Sequence, residues 1–320
     1  MPKHTKPLSR PKTLYRVQNW SEYDKALVQR GSLTFWLSED FEKVWLYAGE
    51  KQRGSQFDYS DQAIEIMLTL KEVFHLTNRG VEGLVRSMFE LLKLELPVPD
   101  HSTLPKRSKT LKVKLPRRTR GPLNLVLDST GLKVYGEGEW KARKHGYSKR
   151  RTWCKLHLGA NPENGEIQAV LLTDNRVSDD TAVPLLLDQI EAALVVCAAD
   201  GAYDKRKVYT ALNTHSPTVK ILIPPRKNAR IWQHGNTKAA RLKRDENLRA
   251  IRQQGRQGWK TTSGYHQRSL AETLMFRLKT IFGDKLSTRL LETQTTQALI
   301  RCRALNQMTH RGMPQSYPVA

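Results

Sequence analysis

The chain has 320 residues, enough for a substantial core and roughly two domains. Its 54 Lys and Arg against 31 Asp and Glu give a net charge of +23, which points to a polyanionic partner, nucleic acid first and an anionic membrane second. No apolar run approaches the roughly 18 residues of a membrane span. The basic N-terminus has no apolar segment behind it of the secretory kind, and three scattered cysteines without a C-x-x-C pair suit a reducing cytosol and exclude a cysteine zinc knuckle.

Residues 1–19 read as a loose basic arm, and residues 20–50 as an aromatic segment that packs (Trp20, Phe35, Trp36, Phe41, Trp45). Residues 57–111 read as three short helices. Ser60 or Asp61 starts the first, Thr77 caps the second, and Asp100 caps a third after Pro97 and Pro99. Such a trio resembles a helix-turn-helix whose last helix offers its N-terminal residues to a major groove, although an ordinary helical scaffold has the same pattern. Residues 103–120 then carry eight Lys or Arg and no acid, Lys106 and Arg107 among them, as a linker between nucleic-acid-binding modules would.

From Leu123 the texture becomes α/β. Leu123–Asp128 is an apolar strand ending in a carboxylate, and 132–135 continues extended. Residues 152–159 and 167–172 alternate with period two around an Asn-Pro-Glu-Asn-Gly turn, a hairpin. Residues 180–194 are helical, 195–200 is a short apolar strand that again ends in a carboxylate, 203–212 is helical, and 219–223 is a strand. This order predicts a mixed sheet with flanking helices. Residues 226–262 interrupt it with eleven Lys or Arg against Asp245 and Glu246, punctuated by Trp232 and Trp259, a composition suited to phosphate contact. A last helix is predicted over 289–307, followed by a frayed end.

The stretch Tyr265–Lys279 reads as one amphipathic helix with Ser263 as N-cap and Leu270, Leu274 and Leu278 on its apolar side. At about 100° per residue, Tyr265, Arg268, Glu272 and Lys279 fall within an arc of about 60°. A carboxylate, two cations and a phenol on one stripe suit a metal-bound phosphate ester; a solvated face with an Arg268–Glu272 pair is the alternative. Asp128 and Asp200 stand at the C-terminal ends of their strands, where α/β sheets present ligands. With Glu272 they form three acids separated by 72 residues each. Hard Mg²⁺ or Mn²⁺ takes such oxygens, and two ions can activate a nucleophile and stabilise the departing oxyanion at a phosphodiester. Among competing acids, Asp179 or Asp180 reads as a helix cap and Asp204 as a helix-start acid. His145, His157 and His266 show no metal spacing. No nucleophile elbow or P-loop is present.

Leu-Asp-Ser-Thr-Gly at 127–131, Ala-Asp-Gly-Ala-Tyr-Asp at 199–204 and Tyr-x2-Arg-x3-Glu-x6-Lys at 265–279 resemble the three signature regions of bacterial insertion-sequence DDE transposases. The nearest pattern is that of the insertion-sequence-five family. The resemblance implies an RNase H-like catalytic core with a mixed five-stranded sheet, metal ligation by Asp128, Asp200 and Glu272, and roles in contacting DNA or ordering the site for Tyr265, Arg268 and Lys279. It also implies action on the element's own terminal inverted repeats, with Mg²⁺ replaceable by Mn²⁺, two ions per site and no nucleotide cofactor. The expected organisation is an arm and helical segment over 1–56, a helix-turn-helix-like module and basic linker over 57–120, the core over 121–225, a basic insertion over 226–262 and C-terminal core helices over 263–320. Lys106, Arg107 and Trp259 are further expected DNA contacts, Trp259 by stacking on an unpaired base. A homodimer or larger assembly on DNA, in a bacterial cytoplasm at the nucleoid, is expected. An RNase H-like nuclease without strand transfer and a non-catalytic DNA-binding derivative are the alternatives.

Overall fold

The structure, a computed structural model, describes residues 14–50, 54, 57–134, 153–235 and 240–319. At its centre is a mixed sheet built from β2 (Leu123–Val134), β3 (Trp153–Asn161), β4 (Glu166–Asp174), β5 (Leu194–Ala199) and β6 (Lys220–Leu222), in the order β4-β3-β2-β5-β6. A sixth strand, the two-residue β7 (Lys285–Leu286), joins β2. The strands expected at 123 and 132 are therefore one continuous strand of twelve residues. Its pairing with β3 is antiparallel and with β5 parallel, ending at Leu127↔Ala199. On that same edge β7 begins pairing only at Lys133↔Lys285. Between these two partners the edge of β2 is open, and Asp128 is the first residue of the gap.

Alternation along the strands separates two cores. Leu125, Leu127, Cys197 and Ala199 point to one face, covered by α6 (Asp179–Leu187) and α7 (Arg206–His215) through Val183, Leu186, Val208 and Leu212. Val126 and Ala198 point to the other, where Trp259, Tyr265 and Ala271 cover them. Further along that second face, Leu132, Leu156 and Leu158 pack with α9 (Ser269–Phe282) and α10 (Leu291–Arg311).

The N-terminal helices continue this second core. The α3 helix (Asp61–Val73) is capped by Ser60, which accepts from the Ala63 amide, and α4 (Asn78–Leu92) by Thr77, which accepts from the Gly80 amide. Ile64, Met67, Leu70, Val81 and Val85 belong to the same cluster as Ile300 and Leu305 of α10. Trp45 is fully buried, with its indole N–H on the Pro97 carbonyl at 2.8 Å and its ring edge-on to Phe89. A buried ion pair ties the two parts: the Glu72 carboxylate of α3 accepts from Arg301 Nε of α10 at 2.6 Å and from Gln297.

Several local expectations are corrected. Part of the supposed loose arm is β1 (Leu14–Val17), paired antiparallel with β8 (Ser316–Val319), so the C-terminal end is also ordered. The third short helix, α5 (Thr103–Arg107), has five residues and buries Leu104 and Arg107. Much of the basic insertion is helical, as α8 (Lys243–Ser263), kinked at Gly255. Ser263 is the last residue of α8 rather than an N-cap. Gly264 follows in a left-handed conformation (φ 80°), which glycine adopts without strain, and turns the chain into a 3₁₀ turn at Tyr265–Arg268 before α9. That turn shifts the helical phase. Leu270 is left 43% exposed, and Ala271, Leu274, Met275 and Leu278 form the buried side instead. Lys238, Tyr135, Thr152 and His145 lie outside the described residues.

Candidate active site

Asp128 and Asp200 each follow the last parallel pair of β2 and β5, Leu127↔Ala199, so both leave the same end of neighbouring strands. Both continue the face of Val126 and Ala198, beneath the segment that carries Arg268 and Glu272. Asp200 ends its strand by accepting a hydrogen bond from the Ala202 amide at 2.8 Å. The glycine between them is needed: a Cβ on Gly201 would lie 3.2 Å from the Pro224 carbonyl oxygen. Asp128 accepts from the Ser129 amide at 2.9 Å.

The Arg268 guanidinium stands between two of the acids. Its Nη1 is 3.4 Å from Asp128 Oδ2, and its Nη2 pairs with Glu272 Oε1. Burial raises the Asp128 pKa above the ordinary aspartate value, and the charges of Asp200 and Glu272 add to the rise. The Ser129 amide and Arg268 act in the other direction. The Tyr265 phenol is raised chiefly by burial, and it too faces Arg268, Asp200, Asp128 and Glu272. Three carboxylates, one cation and one phenol therefore share a single electrostatic neighbourhood.

An all-oxygen donor set with mutual repulsion is chemically suited to a hard divalent ion. The fit needs a local adjustment. Among the described residues, the only acidic or His/Cys trio whose ligand atoms lie within 4.8 Å of one another is Glu82, Asp100 and His101. The Asp128, Asp200 and Glu272 oxygens thus do not all lie within that distance of one another, and Arg268 is the counter-ion of Asp128 and Glu272. The Glu82 trio is a tie between α4 and the turn before α5: Glu82 accepts from the His101 amide and ring at 2.8 Å each, while Arg86 takes its other oxygen.

On the opposite face of β2, a second polar group backs the site. Ser129 Oγ donates to Asp179 Oδ1 at 2.8 Å, and Lys155 Nζ lies 3.2 Å from the same oxygen. His157 bonds Thr173 Oγ1 at 2.9 Å and is held neutral by burial, its pKa lowered to about 4. Tyr203 is 1% exposed, its hydroxyl has no hydrogen-bond partner among the described residues, and the charges of Asp179, Asp128 and Asp200 all reach it. The N-cap of α6 is Ser178 rather than Asp179 or Asp180; Asp179 lies in the first turn of the helix, and its oxygen serves Ser129 and Lys155. Sequence reasoning passed over Lys155 and Ser129; the alternation of residues 153–158, which puts Lys155 and His157 on one face opposite Gly131 and Ser129, was the signal.

The remaining expected contacts divide. Lys106 is exposed. Lys279 is half-buried, two helical turns or about 10 Å beyond Glu272. Arg107 is corrected to an interior role: it is 7% exposed, its guanidinium donates to Asp61 and to the Tyr59 carbonyl at 2.6 Å each, and it lies over the Phe57 ring. Trp259 is corrected likewise. It is 2% exposed and packs on Tyr265 with ring centroids 5.3 Å apart, so its faces are not open to a base. Trp232 is half-buried against Tyr209 and under the Arg244 guanidinium.

Two family models, both described as a transposase DDE domain, match the chain, one over residues 28–137 and the other over residues 119–307. Among solved structures, the chain is similar to a piggyBac transposase synaptic complex with hairpin DNA, at 10% identity over 89% of this chain and 76% of that chain, with a TM-score of 0.41. At that distance no residue is carried across. The longer family match covers more than half of the sequence and encloses all three acids of the β2–β5–α9 face, and the chain belongs to the DDE transposase family.

Proposed function

We propose that this protein binds the terminal inverted repeats of its own mobile element, cleaves the ends to expose 3′-OH groups, and joins them to target DNA. The observation that supports the reading is that Asp128 and Asp200 follow the end of the parallel β2–β5 pair, with Arg268 of the 3₁₀ turn pairing both Asp128 and Glu272 of α9. Asp128, Asp200 and Glu272 hold the divalent ions, which when bound activate the attacking oxygen and stabilise the leaving one. Arg268 pairs with Asp128 and Glu272 and would meet a DNA phosphate at the site. Tyr265 is a positioning residue, fixed by Trp259 and facing the acids. Ser129, Asp179 and Lys155 hold β2 against α6 behind Asp128.

The central sheet serves as an RNase H-like core, with signatures nearest to the insertion-sequence-five group. The α3–α4 pair serves as the helix-turn-helix-like reader, and residues 226–262 as a basic insertion that meets phosphates. Because two ends are joined, two or more copies act together on DNA, at the bacterial nucleoid. Incubating the full chain with labelled end duplex, supercoiled target plasmid and Mn²⁺ tests this reading. Labelled end covalently joined to plasmid supports it. Nicked ends without joining would reduce the protein to a nuclease, and end binding with neither product would make it a non-catalytic DNA-binding derivative.

A further inference from the structure

Away from the acids, a groove of about 720 Å³ runs between the start of α4, the end of α5 and the loop that leads into α10. Lys71, Arg79, Lys109 and Arg289 line it, and no carboxylate does. Arg79, Lys109 and Arg289 are exposed, and none of them makes an ion pair among the described residues. Lys71 is different. Its side chain is 10% exposed, and its ammonium is 3.7 Å from Glu72, beyond hydrogen-bonding distance. The Glu72 oxygens are already held by Arg301 and Gln297. A lysine buried to this degree at the wall of an open groove, with its nearest carboxylate committed elsewhere, leaves a positive charge available to a ligand. The first turn of α4 borders the same groove through Thr77, Asn78 and Arg79, and helix N-termini add to the attraction for anions.

We infer that this groove seats the phosphate backbone of the end duplex several base pairs inside the cut, as an anchoring surface separate from the acids. The inference rests on the proposed function for the identity of the duplex. Its geometry follows from the sheet. The groove-lining loop Ser287–Leu290 follows β7, which pairs with β2 at Lys133, five residues beyond Asp128. At strand rise that is roughly 17 Å. A duplex advances roughly 3.4 Å per base pair, so a duplex cut at Asp128 and running along β2 would reach this loop about five or more base pairs inward. Four cations and no carboxylate along one groove suit a run of phosphates.

The test is a fluorescence anisotropy titration of the full chain with labelled end duplex over a range of salt. The triple variant Arg79→Gln/Lys109→Gln/Arg289→Gln is compared with Arg16→Gln/Lys25→Gln/Lys93→Gln, which loses the same charge at exposed positions outside the groove. Loss of three phosphate contacts lowers the salt slope by about 2.7 and weakens binding about tenfold or more. The control triple leaves the slope within about one unit of wild type. Equal effects of the two triples, or no effect of the groove triple, would overturn the inference, as would stronger competition by duplex RNA of the same sequence than by DNA. The proposed function fails separately. Wild-type chain that shows no joined product while the groove triple still loses its slope sinks that reading and leaves the groove as a DNA site; joined product with an unchanged groove triple does the reverse.

Discussion

Replacing Asp128 by Asn removes one of three carboxylates on a crowded face while keeping an oxygen for the Ser129 amide. Burial, Asp200 and Glu272 raise the Asp128 pKa, so its ionised form is less favourable in the folded chain than in the unfolded one. The sign follows from linkage. A raised folded pKa contributes stability at low pH that is lost as pH rises through that value, and above it the ionised group costs stability. At neutral pH and without metal, Asp128→Asn is therefore expected to melt at or above the wild-type temperature. Metal reverses the order. An ion at a hundred times its dissociation constant stabilises the folded chain by about 2.7 kcal/mol. For 320 residues the unfolding entropy is about 0.7 kcal/mol/K, so the wild-type melting temperature rises by about 4 °C. The variant, with a ligand gone, shows little of that rise. Differential scanning fluorimetry with chelator and then with Mn²⁺ measures both terms. A variant that melts several degrees low under chelator, or that keeps the full metal-induced rise, would refute the reasoning.

Glu72→Ala strands the buried Arg301 guanidinium between α3 and α10 and is expected to cost about 3–5 kcal/mol, seen as a fall of about 4–7 °C in the melting temperature. A loss below about 1 kcal/mol would show that the pair is not a load-carrying tie. Asp179→Asn loosens the Ser129 and Lys155 contacts behind Asp128; metal-supported cleavage is expected to drop about 10–100-fold with the affinity for end duplex unchanged, as single-turnover rates and anisotropy together would show. Glu166 is buried, which opposes its ionisation, yet hydrogen bonds from Thr119, the Arg118 and Thr119 amides and His310 outweigh burial and hold its pKa down at about 2. Its contribution to stability is present above the ordinary value of 4.5 and is lost as pH falls toward 2, so Glu166→Gln is expected to destabilise the neutral protein and flatten the acid limb of a melting-temperature profile.

The central strands were readable because both faces of β2 and β5 are buried, and burial imposes runs of Leu, Val and Ala that end where the chain must offer Asp128 and Asp200. Ser60 and Thr77 were readable as caps because a hydroxyl just before an apolar period satisfies a free helix amide. The helix carrying Glu272 was placed, but its phase was not. Extending one period back to Tyr265 ignored the break that Gly264 permits, which mistook exposed Leu270 for core. Pairing of β1 with β8 joins the two ends of the chain through four mostly exposed residues each, a contact with no local pattern. Basic residues were the least legible. Charge alone does not separate Arg107, spent on Asp61, or Arg244, spent on Asp204, from Arg79 and Lys109, which face an open groove.

The position of the metal is the central point. A crystal of the full chain grown with Mn²⁺ and end duplex, with anomalous scattering recorded at the manganese edge, decides it. The prediction is manganese density among the carboxylates of Asp128, Asp200 and Glu272, with Arg268 turned away from Asp128 onto a phosphate. A peak at Glu82, Asp100 and His101 with none among the other three acids would contradict it.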